Sequence, residues 1–174
     1  MIQRCSIIRV LEVFFVEPTT IHFIREIGNK INLAPTSVRN HVNELLKMKL
    51  IVKKKSKPFD GYIANKDDKT FLFDKGLYNL YTLQELRDQI VEIIHPKAIV
   101  VFGSYLLGED IETSDIDILI ISKVKSELDL KKFEKKLKRS INVLIVDKLS
   151  KLDKNIQKKI INGFVIYGAL NGDF

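Results

Sequence analysis

Apolar and polar positions alternate with helical spacing through the first third of the chain. Ile7, Val10, Leu11 and Phe14 form one stripe within residues 4–16, which predicts a helix that Pro18 ends. Thr19 or Thr20 then caps a second helix through about Gly28, with Ile21, Ile24 and Ile27 inward and Gly28-Asn29 closing it. A third helix starts near Pro35-Thr36-Ser37 and runs to about Lys49. Val38, Val42 and Leu45 share its apolar face, Thr36, Asn40, Asn43 and Lys47 lie opposite, and Arg39 stands at the flank. From Leu50 to Ile63 the pattern changes to two short strands joined by a turn at Lys57 to Gly61.

Lys66 to Gly76 is polar and reads as a loop leading to a short helix. Thr82, with Glu85 three residues on, makes a capping box for a helix to about His95, striped by Leu83, Leu86, Ile90 and Ile93 and stopped by Pro96. This helix is read as a connector over residues 80–95, whose stripe packs on a sheet or pairs with its copy in a homodimer. Val100 to Phe102 is a buried strand, and a second apolar run follows Ser114. Ser126 to Ser140 reads as a helix with Leu130, Phe133 and Leu137 inward, and Ile141 to Val146 as another buried strand. Leu152 to Ile161 is an amphipathic helix closed by Gly163, before a last strand from Phe164 to Tyr167. Strands alternating with helices predict an α/β domain with a mixed sheet over residues 80–174, preceded by a separate domain over 1–79.

The candidate chemistry lies between the first two strands of the second domain. Gly103 allows a tight exit and close backbone approach to a ligand. Ser104 opens a helical turn whose N–H groups and hydroxyl can hold a phosphate. Asp115 and Asp117 stand two apart in a strand pattern, so both side chains leave one face, about 6–7 Å apart. Such a pair can ligate a hard divalent cation, best matched by Mg²⁺ arriving with the phosphates of a nucleoside triphosphate. Taken singly, Gly-Ser after a strand is common, and an Asp-x-Asp pair is often a turn and a solvated strand end.

Together, Gly103, Ser104, ten intervening residues, Asp115 and Asp117 resemble the signature of the DNA polymerase β-type nucleotidyltransferase superfamily, above all its minimal nucleotidyltransferases. Gly108-Glu109 and Ser114 fall where that family has Gly-Glu and Ser, and the resemblance covers roughly residues 95–170. It implies transfer of a nucleoside monophosphate to a hydroxyl, with Asp115 and Asp117 as catalytic metal ligands and Gly103 and Ser104 binding the nucleotide. It also implies protein hydroxyls among the acceptors, including a small helical toxin partner of the toxin–antitoxin kind. Two positions depart from the pattern. The third carboxylate of the family falls on Asn142, which can hydrogen-bond or ligate through its amide oxygen but cannot take a proton. Asp147 is out of phase with it. Leu107 stands where arginine is frequent.

Composition adds one thing to this picture. The chain of 174 residues carries a net charge of +7, with an ordinary hydrophobic fraction of 45%. Between residues 36 and 60, Arg39, Lys47, Lys49, Lys53, Lys54, Lys55 and Lys57 outnumber Glu44 and Asp60, so a net +5 is concentrated there. Three helices followed by a basic hairpin resemble a winged helix-turn-helix, which implies double-stranded DNA as a partner. Lys53, Lys54, Lys55 and Lys57 would then meet phosphates, and Thr36, Arg39, Asn40, Asn43 and Lys47 would face the groove. Such modules also serve as dimerisation or protein-binding units, and a lysine-rich hairpin also serves as a solvated edge. A single cysteine, Cys5, rules out an internal disulfide. No apolar run is long enough to span a bilayer, and the expectation is a cytoplasmic protein without a membrane partner. His22, His41 and His95 show no metal-ligand spacing. The expected fold is therefore a two-domain α+β/αβ chain with a winged helix-turn-helix before a nucleotidyltransferase-type mixed sheet flanked by helices. The expected function is Mg²⁺-dependent nucleotidyl transfer, slowed by Asn142. Two rivals stay open: a DNA-binding regulator or antitoxin whose degenerate transferase domain senses nucleotide or dimerises, and a scaffold with neither activity.

Overall fold

A computed structural model describes residues 5–124 and 126–170, and the chain divides into two units, Met1–Leu72 and Phe73–Phe174. The division falls inside a helix and somewhat before residue 80. Among the described residues no helix is long and apolar enough to cross a membrane.

The first unit holds α1 (Ser6–Val16), α2 (Ile24–Ile31), α3 (Pro35–Lys47) and an antiparallel hairpin of β1 (Ile51–Lys54) and β2 (Gly61–Ala64). Val10, Phe14, Ile27, Val38 and Val42 are wholly buried at its centre. The stripe on α1 is broader than the period indicated, since Val13 and Phe15 are buried as well. The second helix begins later than a threonine cap at 19 or 20 would place it. His22 exchanges both backbone bonds with Tyr62, at 2.8 and 2.9 Å, which keeps residue 22 extended. Glu26 then accepts from the Phe23 amide at 3.4 Å, and α2 ends at Asn32 with φ 49°. Gly28 is interior to α2, where a Cβ would stand 2.7 Å from the Leu33 carbonyl oxygen.

In the second unit the elements are most of α4 (Lys69–Thr82), α5 (Gln84–Ile94), β3 (Ala98–Phe102), α6 (Ser104–Leu107), β4 (Ile116–Ile121), α7 (Lys131–Leu137), β5 (Ile141–Val146), α8 (Lys154–Ile161) and β6 (Phe164–Gly168). The polar segment read as a loop is thus largely helix. Asp68 caps α4 by accepting from the Phe71 amide at 2.9 Å, and its inward positions include Lys75 and Asn79, so no apolar period marks it. Thr82 does not cap the next helix. It closes α4, donating to the Asn79 carbonyl at 2.6 Å, and Leu83 takes the cap position of α5.

The sheet order is β5-β4-β3-β6, with β3 antiparallel to β4 and β6, and β4 parallel to β5. Strand side chains alternate between two covered faces. Ile99, Val101, Ile116, Ile118, Ile120 and Ile141 pack with α5, Tyr105 and Phe133. Ala98, Val100, Phe102, Leu119 and Ile121 pack with Ile160 of α8 and with Leu149 of a short 3-10 turn. With both faces covered, the central strands are near-continuous apolar runs, as in β4. Helix α7 is shorter than the lysine-rich stretch around it, because Asp129 accepts from the Lys131 amide at 3.2 Å and starts the helix there.

Ile118 is fully buried in this sheet, and Ile118→Ala leaves a cavity that neighbouring strands cannot close. The expected loss is about 2–5 kcal/mol in denaturant unfolding of the second unit; a loss below about 1 kcal/mol would contradict the packing described.

Candidate active site

Strand register brings the signature residues together at one end of the sheet. Phe102 lies opposite Asp117 in the antiparallel pair β3–β4. Asp117 lies opposite Asn142 in the parallel pair β4–β5. Asp115, two residues before Asp117, enters the same face, the one that farther along carries Leu119 and Ile121 beneath α8. The Asn142 amide nitrogen donates to Asp115 Oδ2 at 3.2 Å and to Asp117 Oδ1 at 3.4 Å. Asp115 and Asn142 are exposed and Asp117 is half-buried, so the cluster opens to solvent.

Gly103 makes the corner between β3 and α6. Its φ of 80° and ψ of −165° belong to a region that only glycine occupies without strain. Space imposes the same choice, since a Cβ at Gly103 would stand 2.6 Å from Asp117 Oδ2. The corner and the second aspartate are therefore in direct contact, and Ser104 begins α6 immediately beside them.

The loop from α6 to β4 is internally tied. Gly108 ends α6 at φ 71°. Ser114 Oγ accepts from the Ile111 amide at 2.9 Å, while the Ser114 amide donates to the Ile111 carbonyl at 3.0 Å. The Ile116 amide then joins the Ser140 carbonyl at 2.8 Å, which locks the start of β4 to the start of β5. Beneath the loop, Asp110 is buried with Lys75, Asn79 and Arg139. Burial lowers the Lys75 ammonium from its ordinary pKa, and the Asp110 carboxylate opposes that shift. Burial also pushes the Tyr105 phenol well up. Lys75, Asn79, Asp110 and Arg139 did not stand out in the sequence, and Lys75 lies in the segment read as a polar loop. The retrievable signal was Asp68, a helix cap placed three residues before the apolar run Phe71-Leu72-Phe73.

Two carboxylates and an amide make a hard, oxygen-rich donor set, provided the Asn142 amide turns to present Oδ1. They fit a divalent cation that keeps part of its shell for water and phosphate oxygens. Leu107 is 54% exposed and offers no charge at the position where arginine is frequent. Asp147 pairs with Lys151 at 2.8 Å beyond the opposite end of β5.

In the first unit, Thr36, Arg39, Asn40, Asn43 and Lys47 are all exposed on α3, as are Lys53 and Lys54 on β1 and Lys55 and Lys57 in the hairpin loop. A second acidic cluster, Glu17, His22 and Glu26, has its ligand-type atoms within 4.8 Å of one another. Lys30 already bridges its carboxylates, at 2.6 Å to Glu17 and 2.8 Å to Glu26, so an ammonium stands where a cation would bind.

With the fold and the cluster in view, comparison adds one finding: residues 83–167 match the family model of the nucleotidyltransferase domain. The match lies within the C-terminal unit and supports nucleotidyl transfer in general, with a nucleotide as substrate. No curated protein and no solved structure matches the chain.

Gly103→Ala forces either the corner or Asp117 to move. Combining the clash with an unfavourable φ, the expected destabilisation is about 1–3 kcal/mol, measured by thermal unfolding. A crystal structure of the variant should show Asp117 turned from the corner; an unmoved carboxylate at unchanged stability would refute the contact.

Proposed function

We propose that the chain is a Mg²⁺-dependent nucleotidyltransferase that moves a nucleoside monophosphate from a nucleoside triphosphate to a hydroxyl acceptor, and that its N-terminal unit is a DNA-binding winged helix. The observation that carries the reading is the meeting of Gly103, Asp115, Asp117 and Asn142 at one sheet end.

In this reading Asp115 and Asp117 hold the cation, which when bound neutralises charge on the phosphates. Ser104 and the backbone at Gly103 orient the outer phosphates. The acceptor oxygen forms a bond to the α-phosphorus while the bond to the β-phosphate bridge breaks, and pyrophosphate leaves with that electron pair. Asn142 has no basic atom, so the hydroxyl proton goes to water. The missing base costs about 10²–10⁴-fold in rate. Nucleotide binding, which depends on the corner and the two aspartates, suffers less than turnover.

The Asn142 amide also favours a second reading, in which the domain binds nucleotide without turning it over and the chain acts as a DNA-binding regulator or antitoxin. Labelled nucleoside triphosphates with Mg²⁺ separate the two. Label transferred to a protein hydroxyl, lost in Asp115→Ala/Asp117→Ala and raised about 10²-fold or more by Asn142→Asp, is expected for the enzyme. Tight nucleotide binding with no transfer in either the parent or Asn142→Asp would leave only the regulator.

The DNA arm rests on the exposed polar face of α3 beside the basic hairpin. Replacing Lys53, Lys54 and Lys55 by glutamine should weaken duplex binding and flatten the slope of log affinity against log salt by about 0.9 per lost phosphate contact. An unchanged slope would remove the hairpin from the interface.

A further inference from the structure

The match to the nucleotidyltransferase family begins at residue 83, yet the signature loop rests on a helix that ends at Thr82. Lys75, Asn79 and Thr82 are spaced four and three residues apart, so they occupy one face of α4. Each bonds to residues 105–110. Lys75 Nζ donates to the Gly108 carbonyl at 3.3 Å, to Asp110 Oδ1 at 2.5 Å and to the Asp110 carbonyl. Asn79 Nδ2 donates to the Tyr105 carbonyl at 2.7 Å and to Asp110 Oδ1 at 2.8 Å. The Thr82 and Tyr105 hydroxyls are 3.0 Å apart. Between these residues Gly76 lets the backbones close, since a Cβ there would stand 2.5 Å from the Leu106 carbonyl oxygen.

The opposite side of Asp110 meets Arg139, whose Nη2 lies 3.3 Å from Asp110 Oδ2. Arg139 immediately precedes Ser140, the residue that fixes the start of β4 through the Ile116 amide. The loop joining Ser104 to Asp115 is thus held at three carbonyls and one carboxylate. The holding groups are removed from water, with Lys75 at 0%, Asp110 at 1% and Asn79 at 3% exposure. Burying two cations around one carboxylate is a poor way to gain stability, because apolar replacements of equal volume are often neutral or better. What the arrangement does supply is direction: each bond has one geometry, and together they leave the loop one course.

We infer that Lys75 and Asn79 are positioning residues of the transferase site, which fix the course of Gly108–Asp110 and so hold Asp115 at its distance from the Gly103–Ser104 corner. The consequence for nucleotide rests on the function proposed above; the ordering of the loop does not. The test uses the full chain with Asn79→Leu, which keeps the branching and heavy-atom count of the side chain and removes both donors, and Lys75→Met. Amide hydrogen exchange and Mg²⁺–ATP affinity are read on each. Amides of 105–115 should exchange about tenfold faster or more while β3, β4 and β5 stay protected, and affinity should fall about 10–100-fold, as when a partner supporting a metal ligand is lost. Exchange and affinity equal to the parent's would overturn the inference. So would a uniform loss of protection across β3 to β5, the mark of packing alone. Should Lys75→Met fail to fold, Asn79→Leu decides. A parent chain that does not bind Mg²⁺–ATP overturns the proposed function, while the exchange comparison still decides whether α4 orders the loop.

Discussion

Everything at the candidate site depends on a missing atom. Gly103 has no Cβ, and only for that reason can the end of β3 turn with its backbone against the Asp117 carboxylate. Were the corner displaced outward by a side chain, the turn at Ser104 and the aspartates would no longer share one space. The sheet then extends this local contact laterally. Phe102, Asp117 and Asn142 stand side by side across three strands, each pair held by ladder bonds. Because side chains alternate with a period of two, a slip of one residue in any strand would send one of these groups to the opposite face. Register is secured by burial on both faces, so a large apolar core fixes the position of a small polar cluster.

Legibility in the sequence followed burial chemistry. Where burial is apolar, periodicity pointed to the structure: Val38, Val42 and Leu45 lie inward on α3 as their spacing predicts, and the strand runs are strands. The spacing of Gly103, Ser104, Asp115 and Asp117 pointed to one site because strand geometry and a short loop leave these residues few other places to go. Where burial is polar, the pattern failed. The polar stretch from Lys66 to Gly76 read as a loop before a short helix, although α4 starts at Lys69 and buries Lys75 and Asn79. The error at Thr82 has the same origin: a threonine three residues before a glutamate satisfies the capping pattern, but its hydroxyl is taken by the Asn79 carbonyl and faces Tyr105. The late start of α2 was hidden for another reason, since it depends on a bridge from His22 to Tyr62, forty residues away in the chain.

The two polar clusters of the C-terminal unit use opposite physical means. At Asp115 and Asp117 the cluster opens to solvent, through an exposed Asp115 beside a half-buried Asp117, and water reduces the repulsion between the carboxylates. At Asp110 the carboxylate is taken out of water and must be met by donors on several sides, because an unpaired buried charge is far costlier than a buried pair. The first arrangement stays open to ligands and the second is closed to them. A loop that is buried and hydrogen-bonded at Asp110 and open at Asp115, five residues on, joins a closed support to an accessible end.

Asn142 alters the balance at that open end. A third carboxylate in its place would repel the other two, and a cation would be the main force holding the three together. With an amide there, the two N–H donors of Asn142 reach both aspartates and offset their repulsion directly. The cluster therefore keeps its geometry with less dependence on a cation, and a cation that enters has to compete with those hydrogen bonds or turn the amide over. The amide thus separates two properties that a carboxylate would join: the shape of the cluster is retained by hydrogen bonding, while its negative charge and its proton-accepting capacity are reduced.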